Sequence, residues 1–347
     1  MEKINNIPLT EYIKRNKKKP YKIVSAEEIN NILDELDACN IKYKATKLAY
    51  NLFIETPNCF YSVSLTGSNK KPINVGNICN LFYKQCKVHD IRNEYGYREI
   101  ERFGSPAIKW DYTTAFGYSY TDPYYAKKDL VCWSYDVNSA FAFAMLNKMP
   151  DTTKEPRYND VLNNNEIGFY RGGGATTKVG EFADIIFPLM DSPFKEYIYN
   201  YYNKKQAAEK EERRKWKDFL NIPSGIVARK NIFIRNAIIY YSNEYIKKFI
   251  DDDTVYCNVD CIVSLKPRYD LPIGNGIGQF KEEHKCEHFK YIKARQYQWG
   301  NECHYSGIPS EALTNIEDTS NWTQNLKYIY KNNRLYKNKE FLDEKEK

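Results

Sequence analysis

The chain has 347 residues, with 52 lysines and arginines against 45 aspartates and glutamates, so its formal charge is +7. Hydrophobic residues make up 42% and charged residues 28%, which is typical of a folded globular protein and argues against intrinsic disorder. Residues 1–19 are polar and lysine-rich, and no apolar run approaches the ~18 residues of a membrane span. We therefore expect neither export nor membrane insertion.

The nine cysteines are spread along the chain without a Cys-x2-Cys pair, so we expect reduced thiols and no disulfide framework. His284, Cys286 and His288 form the one compact Cys/His group, of which only the two histidines could share a helical face. Structural zinc normally takes four ligands, so a zinc site there is a minor alternative. The 31 tyrosines fit coding bias, and aromatic rings among basic side chains also suit a nucleic-acid surface.

The N-terminal third contains few clear elements. Residues 1 to about 20 are basic, and we expect them to be loosely ordered. Ser25 and Glu28 form a capping box that predicts an amphipathic helix ending near Asn40. The run 60–65 is strand-like.

The remainder of the chain alternates between apolar strands and helices. Residues 130–137 predict a buried strand that ends in a carboxylate, followed by a short helix over 140–146. The segment 195–222 predicts one long helix, broken by a proline and a glycine at 223 and 225, and a second helix is expected from about 231 to 249. Residues 254–265 predict two strands around a tight turn, and 283–299 is expected to be at least partly helical.

Two aspartates stand at the ends of predicted strands. Asp136 and Asp260 are 124 positions apart, with a basic helical segment between them. A pair of carboxylates that holds two Mg²⁺ ions can activate a 3′-hydroxyl and stabilise a leaving pyrophosphate. Taken singly, either aspartate is more often an ordinary turn or strand-end residue, so the surrounding pattern has to decide.

That pattern resembles the family B DNA polymerases. Residues 136–141, Asp-Val-Asn-Ser-Ala-Phe, are similar to motif A, Asp-x-x-Ser-Leu-Tyr-Pro, and 217–225 are similar to motif B, Lys-x3-Asn-Ser-x-Tyr-Gly. Residues 256–262, Tyr-Cys-Asn-Val-Asp-Cys-Ile, resemble motif C, Tyr-x-Asp-Thr-Asp-Ser-Ile, and 295–297, Arg-Gln-Tyr, resemble the Lys-x-Tyr motif. All four motifs follow the family's order, and their sequences are most similar to those of its protein-primed phage and plasmid branch.

The resemblance implies an α+β fold: a polymerase palm with an antiparallel sheet and helices, helical fingers, a small thumb and an N-terminal α+β domain. The implied boundaries are 1–128 for the N-terminal domain, whose role is unassigned, 129–194 for the palm with motif A, 195–230 for the fingers, 231–289 for the palm with motif C, and 290–347 for the thumb and C-terminal tail. The two intervals between motifs A, B and C are too short for the insertions of protein-primed relatives, so we expect a minimal polymerase of low processivity.

The resemblance also implies roles for individual residues. The catalytic metal ligands are Asp136, Asp260 and the backbone carbonyl of Val137, for two Mg²⁺ ions that Mn²⁺ can replace. The implied nucleotide-binding residues are Ser139, Phe141, Lys205, Arg213, Lys217 and Asn221. The implied primer and DNA contacts are Lys281, Arg295 and Tyr297.

Some of these roles have a plain structural alternative. On one continuous helix Lys205, Arg213 and Lys217 share a face, where cations offset the charge of a triphosphate, but glutamates at 209, 211 and 212 also suit a solvated helix with ion pairs. Phe141 keeps the aromatic ring of the family's sugar-selecting tyrosine, which predicts selectivity for deoxyribonucleotides. It also fits an apolar core position.

The sequence departs from the family in several places. Motif C has Asn258 for its first aspartate, motif B has Ser224 for a tyrosine, and motif A has Ala142 for a proline. The N-terminal exonuclease motif Asp-x-Glu is replaced by Phe-Ile-Glu at 53–55, so we expect no proofreading. The segment 170–173, Tyr-Arg-Gly-Gly, follows motif A instead of preceding it, and we expect an ordinary turn there.

The sequence thus predicts a template-directed DNA polymerase, a nucleotidyltransferase of phage or mobile-element replication in the host cytoplasm. Its partners are primer-template DNA and deoxynucleoside triphosphates, with a terminal protein or another replication protein left open. The primer, whether protein hydroxyl, RNA or DNA, is also left open. The alternative is a polymerase-like DNA-binding or replication-scaffold protein that has lost catalysis, which Asn258 and Ser224 suggest. A terminal transferase or primase on the same palm is a third possibility.

Overall fold

A computed structural model describes residues 21–48, 51–66, 75–102, 105–308, 310–319, 322, 326–331 and 333–338. The basic segment 1–20 lies outside them. Six α-helices occur in these ranges: α1 Ala26–Ala38, α2 Val75–Cys86, α3 Ala140–Ala144, α4 Lys195–Ala207, α5 Lys210–Ile226 and α6 Ile232–Lys247. The strands of the first half are β1 Tyr21–Ile23, β2 Lys44–Leu48, β3 Asn51–Glu55, β4 Phe60–Ser64, β5 Arg98–Arg102, β6 Ser105–Lys109, β7 Ser119–Thr121, β8 Leu130–Val137, β9 Met149–Pro150 and β10 Arg157–Val161. Those of the second half are β11 Glu166–Phe169, β12 Ala175–Thr176, β13 Phe182–Met190, β14 Thr254–Asn258, β15 Cys261–Ser264, β16 Phe280–Lys293, β17 Gln296–Trp299, β18 Glu302–Tyr305, β19 Tyr328–Lys331 and β20 Arg334–Lys337.

The chain divides into two compact units. The first comprises Met1–Pro72, Ile100–Ala107 and Lys290–Lys347, and the second comprises Ile73–Glu99 and Ile108–Phe289. The palm, fingers and thumb boundaries implied by the polymerase resemblance stay a prediction. The mixture of helices and sheets agrees with the predicted α+β class.

The first unit is built on a four-stranded sheet in the order β1-β4-β3-β2, in which β1 and β4 are parallel and the other pairs antiparallel. Helix α1 begins at the predicted capping box, since the Ser25 hydroxyl accepts a hydrogen bond from Glu28 N at 3.1 Å. Its apolar face, Ile29, Leu33 and Leu36, packs in one cluster with the sheet and the β19–β20 hairpin. The amphipathic period of α1 thus builds the core of this unit.

The second unit holds two antiparallel sheets. One contains β16-β8-β15-β14-β7, in which β8 lies between β16 and β15, and the other contains β10-β13-β11-β12 with β9 beside β13. Helix α6 is apolar around most of its circumference, and its residues belong to the buried clusters of this unit. A helix that is apolar all round belongs in a protein interior, and here it supports the strands that carry both aspartates.

The prediction of one helix over 195–222 is wrong. The helix is interrupted at Ala208 and Glu209, whose backbones are both extended. Helix α5 then begins at Lys210 and runs through Pro223 and Gly225 to Ile226. A proline removes the hydrogen bond to the carbonyl four residues earlier, which here belongs to Phe219. The Tyr197 hydroxyl donates to that carbonyl at 3.0 Å, so the freed acceptor is satisfied and the helix does not end.

The helical prediction for 283–299 is also wrong, since the segment forms β16, a turn and β17. Pairing with β8 makes this segment a strand, with Phe289 opposite Leu130 and Phe280 opposite Val137. Strand formation here depends on an edge that a neighbouring strand offers, which local propensity does not register.

The other element predictions are confirmed. The strand over 130–137, the helix after Asn231, the strand over 60–64 and the two strands around Asp260 all form within a few residues of the expected bounds. The segment 170–173 is a turn, in which Gly173 N donates to Tyr170 O at 3.0 Å.

All nine cysteines are free thiols. Within the described ranges, no helix is both long and apolar enough to cross a membrane.

Candidate active site

The centre of the candidate site is the tip of β8 and the turn between β14 and β15. Tyr135 and Val137 pack into the core, so Asp136 between them faces the opposite side of the sheet. Val137 N donates to Asp260 O at 2.8 Å, which joins the two aspartate-bearing segments directly. Both carboxylates line the same cleft, of about 800 Å³. The fold therefore brings together two aspartates that are far apart in sequence.

Each aspartate has a left-handed residue within three positions in the chain. Ser139, three residues after Asp136, has φ +58°, and Val259, directly before Asp260, has φ +63°. This conformation is uncommon for residues other than glycine and a genuine outlier for a β-branched side chain. Such strain persists only where the surrounding structure enforces it, and it concentrates at functional sites.

Contacts to a preceding loop enforce the turn at Val259. Its N–H donates to Tyr118 O at 2.8 Å, and Gly117 approaches so closely that a Cβ there would lie 2.8 Å from Val259 Cγ2. Two asparagines on α6 hold this loop: Asn236 Oδ1 accepts from Ala115 N at 2.9 Å, and Asn243 Oδ1 accepts from Tyr118 N at 2.6 Å. Sequence reasoning missed both asparagines, although two amides seven positions apart in an apolar helix are a recognisable signal.

Both carboxylates lie in a buried and charged environment that shifts their pKa values. Burial, and after it the charges of Asp260 and Glu283, raise the pKa of Asp136 above its usual range. Burial also raises the pKa of Asp260, while the nearby Lys217 ammonium lowers the pKa of both. Groups so arranged favour a cation between them over two unscreened negative charges.

The donor set suits a hard divalent cation. Carboxylate oxygens are the ligands that Mg²⁺ prefers, and two carboxylates at one cleft floor are typical of sites that also use water and substrate phosphates. Asn258 Oδ1, close by in sequence on β14, is buried and has no hydrogen-bond partner among the described residues. Mg²⁺ therefore fits Asp136 and Asp260. In the described ranges no group of three or more His, Cys, Asp or Glu side chains could hold a metal, so Mg²⁺ at this pair would need further ligands from water and substrate. The same finding counts against a zinc site, and His284 and His288 bond instead to Glu287 and Asp129.

Helices α4 and α5 carry the cations of the opposite wall. Lys205, Arg213 and Lys217 all line the cleft, although the face-sharing argument assumed one continuous helix and the chain breaks between the first two. Lys205 Nζ donates to Asn138 Oδ1 at 2.7 Å and Ser139 Oγ at 3.0 Å. Burial, then the charges of Lys217 and Arg213, lower the pKa of Lys205 to about 8. This ammonium is thus tied to the strand that bears Asp136.

Ten of the twelve predicted site residues line this one cleft: Asp136, Val137, Ser139, Phe141, Lys205, Arg213, Lys217, Asn221, Asp260 and Lys281. Lys281 lies opposite Asp136 in the β8–β16 register and pairs with Glu283 at 2.7 Å. The remaining two, Arg295 and Tyr297, belong to the first unit, where the Tyr297 ring stacks on His304 at 4.9 Å. Their role at a primer end stays a prediction.

Several lining residues escaped the sequence argument. Lys210, Arg214 and Arg229 add three further cations to the cleft, and Glu283 adds a third carboxylate. Arg235 lies deeper, with its guanidinium 5.3 Å from the centre of the Phe141 ring, and burial lowers its pKa to about 10. A lone arginine in the apolar run 232–241 is the signal that could have identified it. The cleft therefore holds more positive than negative side chains, with the acids confined to the strand side.

Comparison with known proteins gives a distant likeness. No protein-family model and no curated protein matches the chain. Among solved structures, the chain is similar to phi29 DNA polymerase complexed with primer-template DNA and incoming nucleotide, with 14% identity over 56% of this chain and 49% of that one and a TM-score of 0.41. A binary complex of that polymerase with primer-template DNA gives 11% identity, 81% and 82% coverage and a TM-score of 0.46. The orthorhombic crystal form of that polymerase gives 13% identity over 94% of this chain and 82% of that one, with a TM-score of 0.47. The first match spans about half of the polymerase chain, and at these TM-scores no residue role follows from any of them.

Proposed function

We propose that the protein is a template-directed DNA polymerase that adds deoxynucleotides to a primer 3′-hydroxyl. The observation that carries this proposal is the placement of Asp136 and Asp260 on the floor of one cleft whose facing helices supply cations. Acids on the strands and most of the cations on the helices suit a reaction between a hydroxyl and a triphosphate, because charge develops on the phosphates as the bond breaks. The ordered resemblance of four sequence motifs adds support.

Each side of the cleft has a defined task in this proposal. Asp136 and Asp260, with the Val137 carbonyl, would hold Mg²⁺, which when bound activates the 3′-hydroxyl and neutralises charge on the leaving pyrophosphate. The ammonium and guanidinium groups of Lys217 and Arg213 bind the triphosphate and fix its orientation. Lys205 links helix α4 to the end of the Asp136 strand through its hydrogen bonds to Asn138 and Ser139.

Phe141 selects the sugar in this proposal. It is partly exposed in the cleft at the start of α3, and its ring lies over the buried Arg235 guanidinium. A cation against a ring face is favourable, more so when both are desolvated, and it holds the ring in one orientation. A fixed ring at this point leaves no space for a ribose 2′-hydroxyl, so we expect deoxyribonucleotides to be preferred.

The test is extension of a labelled primer on a short DNA template with Mg²⁺. We expect extension by the wild type and at least about a hundredfold loss in Asp136→Asn and in Asp260→Asn, because each change removes a charged metal ligand. Asp191→Asn is the matched control, since this exposed aspartate is outside the cleft. Extension that survives in both cleft variants would refute the assigned catalytic pair.

A polymerase-derived scaffold that binds DNA without catalysis is the second candidate. Asn258 favours it, because the amide removes one negative charge beside the carboxylate pair and leaves a buried oxygen without a hydrogen-bond partner among the described residues. Folded, DNA-binding wild type that extends no primer with Mg²⁺ or Mn²⁺ would support the scaffold. Extension gained in Asn258→Asp would then identify the lost charge as the cause.

A further inference from the structure

A second concave surface lies on the same unit, and it shares no lining residue with the candidate active site. It is a groove of about 510 Å³ between α2 and the α4–α5 pair. We call it the Trp216 groove. Its lining residues are Asn77, Asn80, Leu81, Lys84, Tyr201, Lys204, Lys215, Trp216 and Phe219.

Three aromatic rings form the floor of the Trp216 groove. Tyr201 and Phe219 stack with ring centres 4.6 Å apart, and Trp216 lies 5.5 Å from Phe219. Tyr201 is buried, whereas Trp216 and Phe219 remain partly exposed. Core packing therefore accounts for only one side of this cluster, and the Trp216 and Phe219 rings stay partly exposed on the other.

Lysines surround the rings. Lys204 Nζ lies 5.2 Å and Lys215 Nζ 4.5 Å from the Trp216 ring centre, and Lys84 lines the same groove from α2. None of the lining residues is Asp or Glu. Among the side chains that the structure describes, which leave out that of Glu211, no carboxylate pairs with Lys84, Lys204 or Lys215, whereas Lys247 and Lys266 on the same unit do have acidic partners. The positive charge of the groove is thus left for a ligand.

We propose that the Trp216 groove binds single-stranded nucleic acid, with a base against the exposed Trp216 and Phe219 rings and backbone phosphates against the three lysines. Open rings beside uncompensated cations are the two components that sequence-tolerant single-strand binding requires. Duplex bases are stacked on each other and offer no free face to a ring, so the single-stranded form is favoured. The site is separate from catalysis and does not depend on the polymerase proposal.

The experiment measures anisotropy of a fluorescent oligo(dT) of about ten nucleotides, a length within the range of known single-strand sites. Full-length protein is titrated without Mg²⁺ or nucleotides, so the outcome is independent of catalysis. The variants are Lys204→Gln with Lys215→Gln, Trp216→Leu, and Trp216→Phe. The matched control is Lys154→Gln with Lys248→Gln, two exposed lysines outside both the groove and the cleft.

We expect Trp216→Leu to weaken binding at least about fivefold, because one stacked base is lost, and Trp216→Phe to retain most of the affinity. The double lysine variant should weaken binding and reduce the slope of log K against log salt by about 1.4, since two phosphate contacts disappear. The control pair should leave that slope near the wild-type value. Circular dichroism checks folding, and if Trp216→Leu fails to fold, the double lysine variant decides because both of its side chains are exposed.

Equal affinity and slope in the double lysine variant and the control would overturn the proposal. So would a concentration-dependent dimer in sedimentation that Trp216→Leu abolishes while oligonucleotide binding is unchanged, because the groove would then be a surface for a second copy of the chain. Loss of primer extension in Asp136→Asn with groove-dependent oligonucleotide binding intact would separate this site from the catalytic one.

Discussion

Gly278 lies beside the cleft at a position where no other residue should fit. Its φ is +79°, and a Cβ built on it would lie 2.5–2.7 Å from ring atoms of Phe143. Its N–H donates to Asn138 O at 2.9 Å, and its carbonyl accepts from the Tyr245 hydroxyl at 2.6 Å. The backbone is therefore held in place, and the glycine cannot relax away from the ring.

Gly278→Ala should destabilise the second unit through two separate costs. A left-handed conformation costs a non-glycine residue about 1–2 kcal/mol. Displacement of a packed ring costs about 1–3 kcal/mol. The sum is about 2–5 kcal/mol, and for a unit of this size each kcal/mol lowers the melting temperature by about 2–4 °C, so we expect a decrease of about 4–20 °C.

Two further glycines separate these costs. Gly180 has φ +82° but open space around its Cβ position, so Gly180→Ala should show the conformational cost alone. Gly172 has open space and no positive φ, so Gly172→Ala should be close to neutral. Calorimetric melting of the three variants gives the measurement. If Gly278→Ala has the same melting temperature as Gly180→Ala, the steric cost is refuted. If it has the same melting temperature as the wild type, both the steric and the conformational cost are refuted.

Three other substitutions test different parts of the structure. Asp270 pairs with the buried Arg268 at 2.7 Å, and that hydrogen bond lowers the pKa of Asp270. The pair stabilises the fold above the unfolded pKa of about 4, and its contribution is lost as pH falls through the lower folded value. The free energies of unfolding of Asp270→Asn and wild type, measured by urea titration, should therefore differ by less than about 1 kcal/mol at neutral pH and converge in acid. Phe141→Ala should raise ribonucleotide incorporation relative to deoxyribonucleotide by about tenfold or more in single-nucleotide assays, while an unchanged ratio would remove its role as sugar selector. Lys217→Met should lower kcat/KM for the nucleotide by about 10²-fold with partial recovery in Lys217→Arg, and wild-type kinetics in the methionine variant would exclude a phosphate contact.

Local signals predicted much of the site. The apolar run into Asp136 and the hairpin around Asp260 are short-range patterns, so the strands could be predicted. That the two aspartates meet was inferred from the family resemblance and not from the spacing. The strain at Val259 was beyond prediction, because it depends on a loop held by Asn236 and Asn243 on another helix.

At two places the prediction was wrong because distant partners overrode local preference. Pro223 is a strong stop signal, yet the Tyr197 hydroxyl on another helix satisfies the carbonyl that the proline frees. The charged segment after Phe280 has no distinctive strand pattern, and it becomes a strand because β8 offers a paired edge. Arg235 was missed for the converse reason, since its importance depends on its contact with Phe141, far away in sequence.

The central claim is that Asp136 and Asp260 together hold divalent metal. Calorimetric titration with Mn²⁺ in the presence of primer-template and a non-hydrolysable deoxynucleotide tests this most directly, with Asp136→Asn, Asp260→Asn and the control Asp191→Asn alongside the wild type. We expect a Mn²⁺ site in the wild type and in the control, and its loss in both cleft variants. Mn²⁺ binding that persists unchanged in both cleft variants would show that these two carboxylates do not hold the metal.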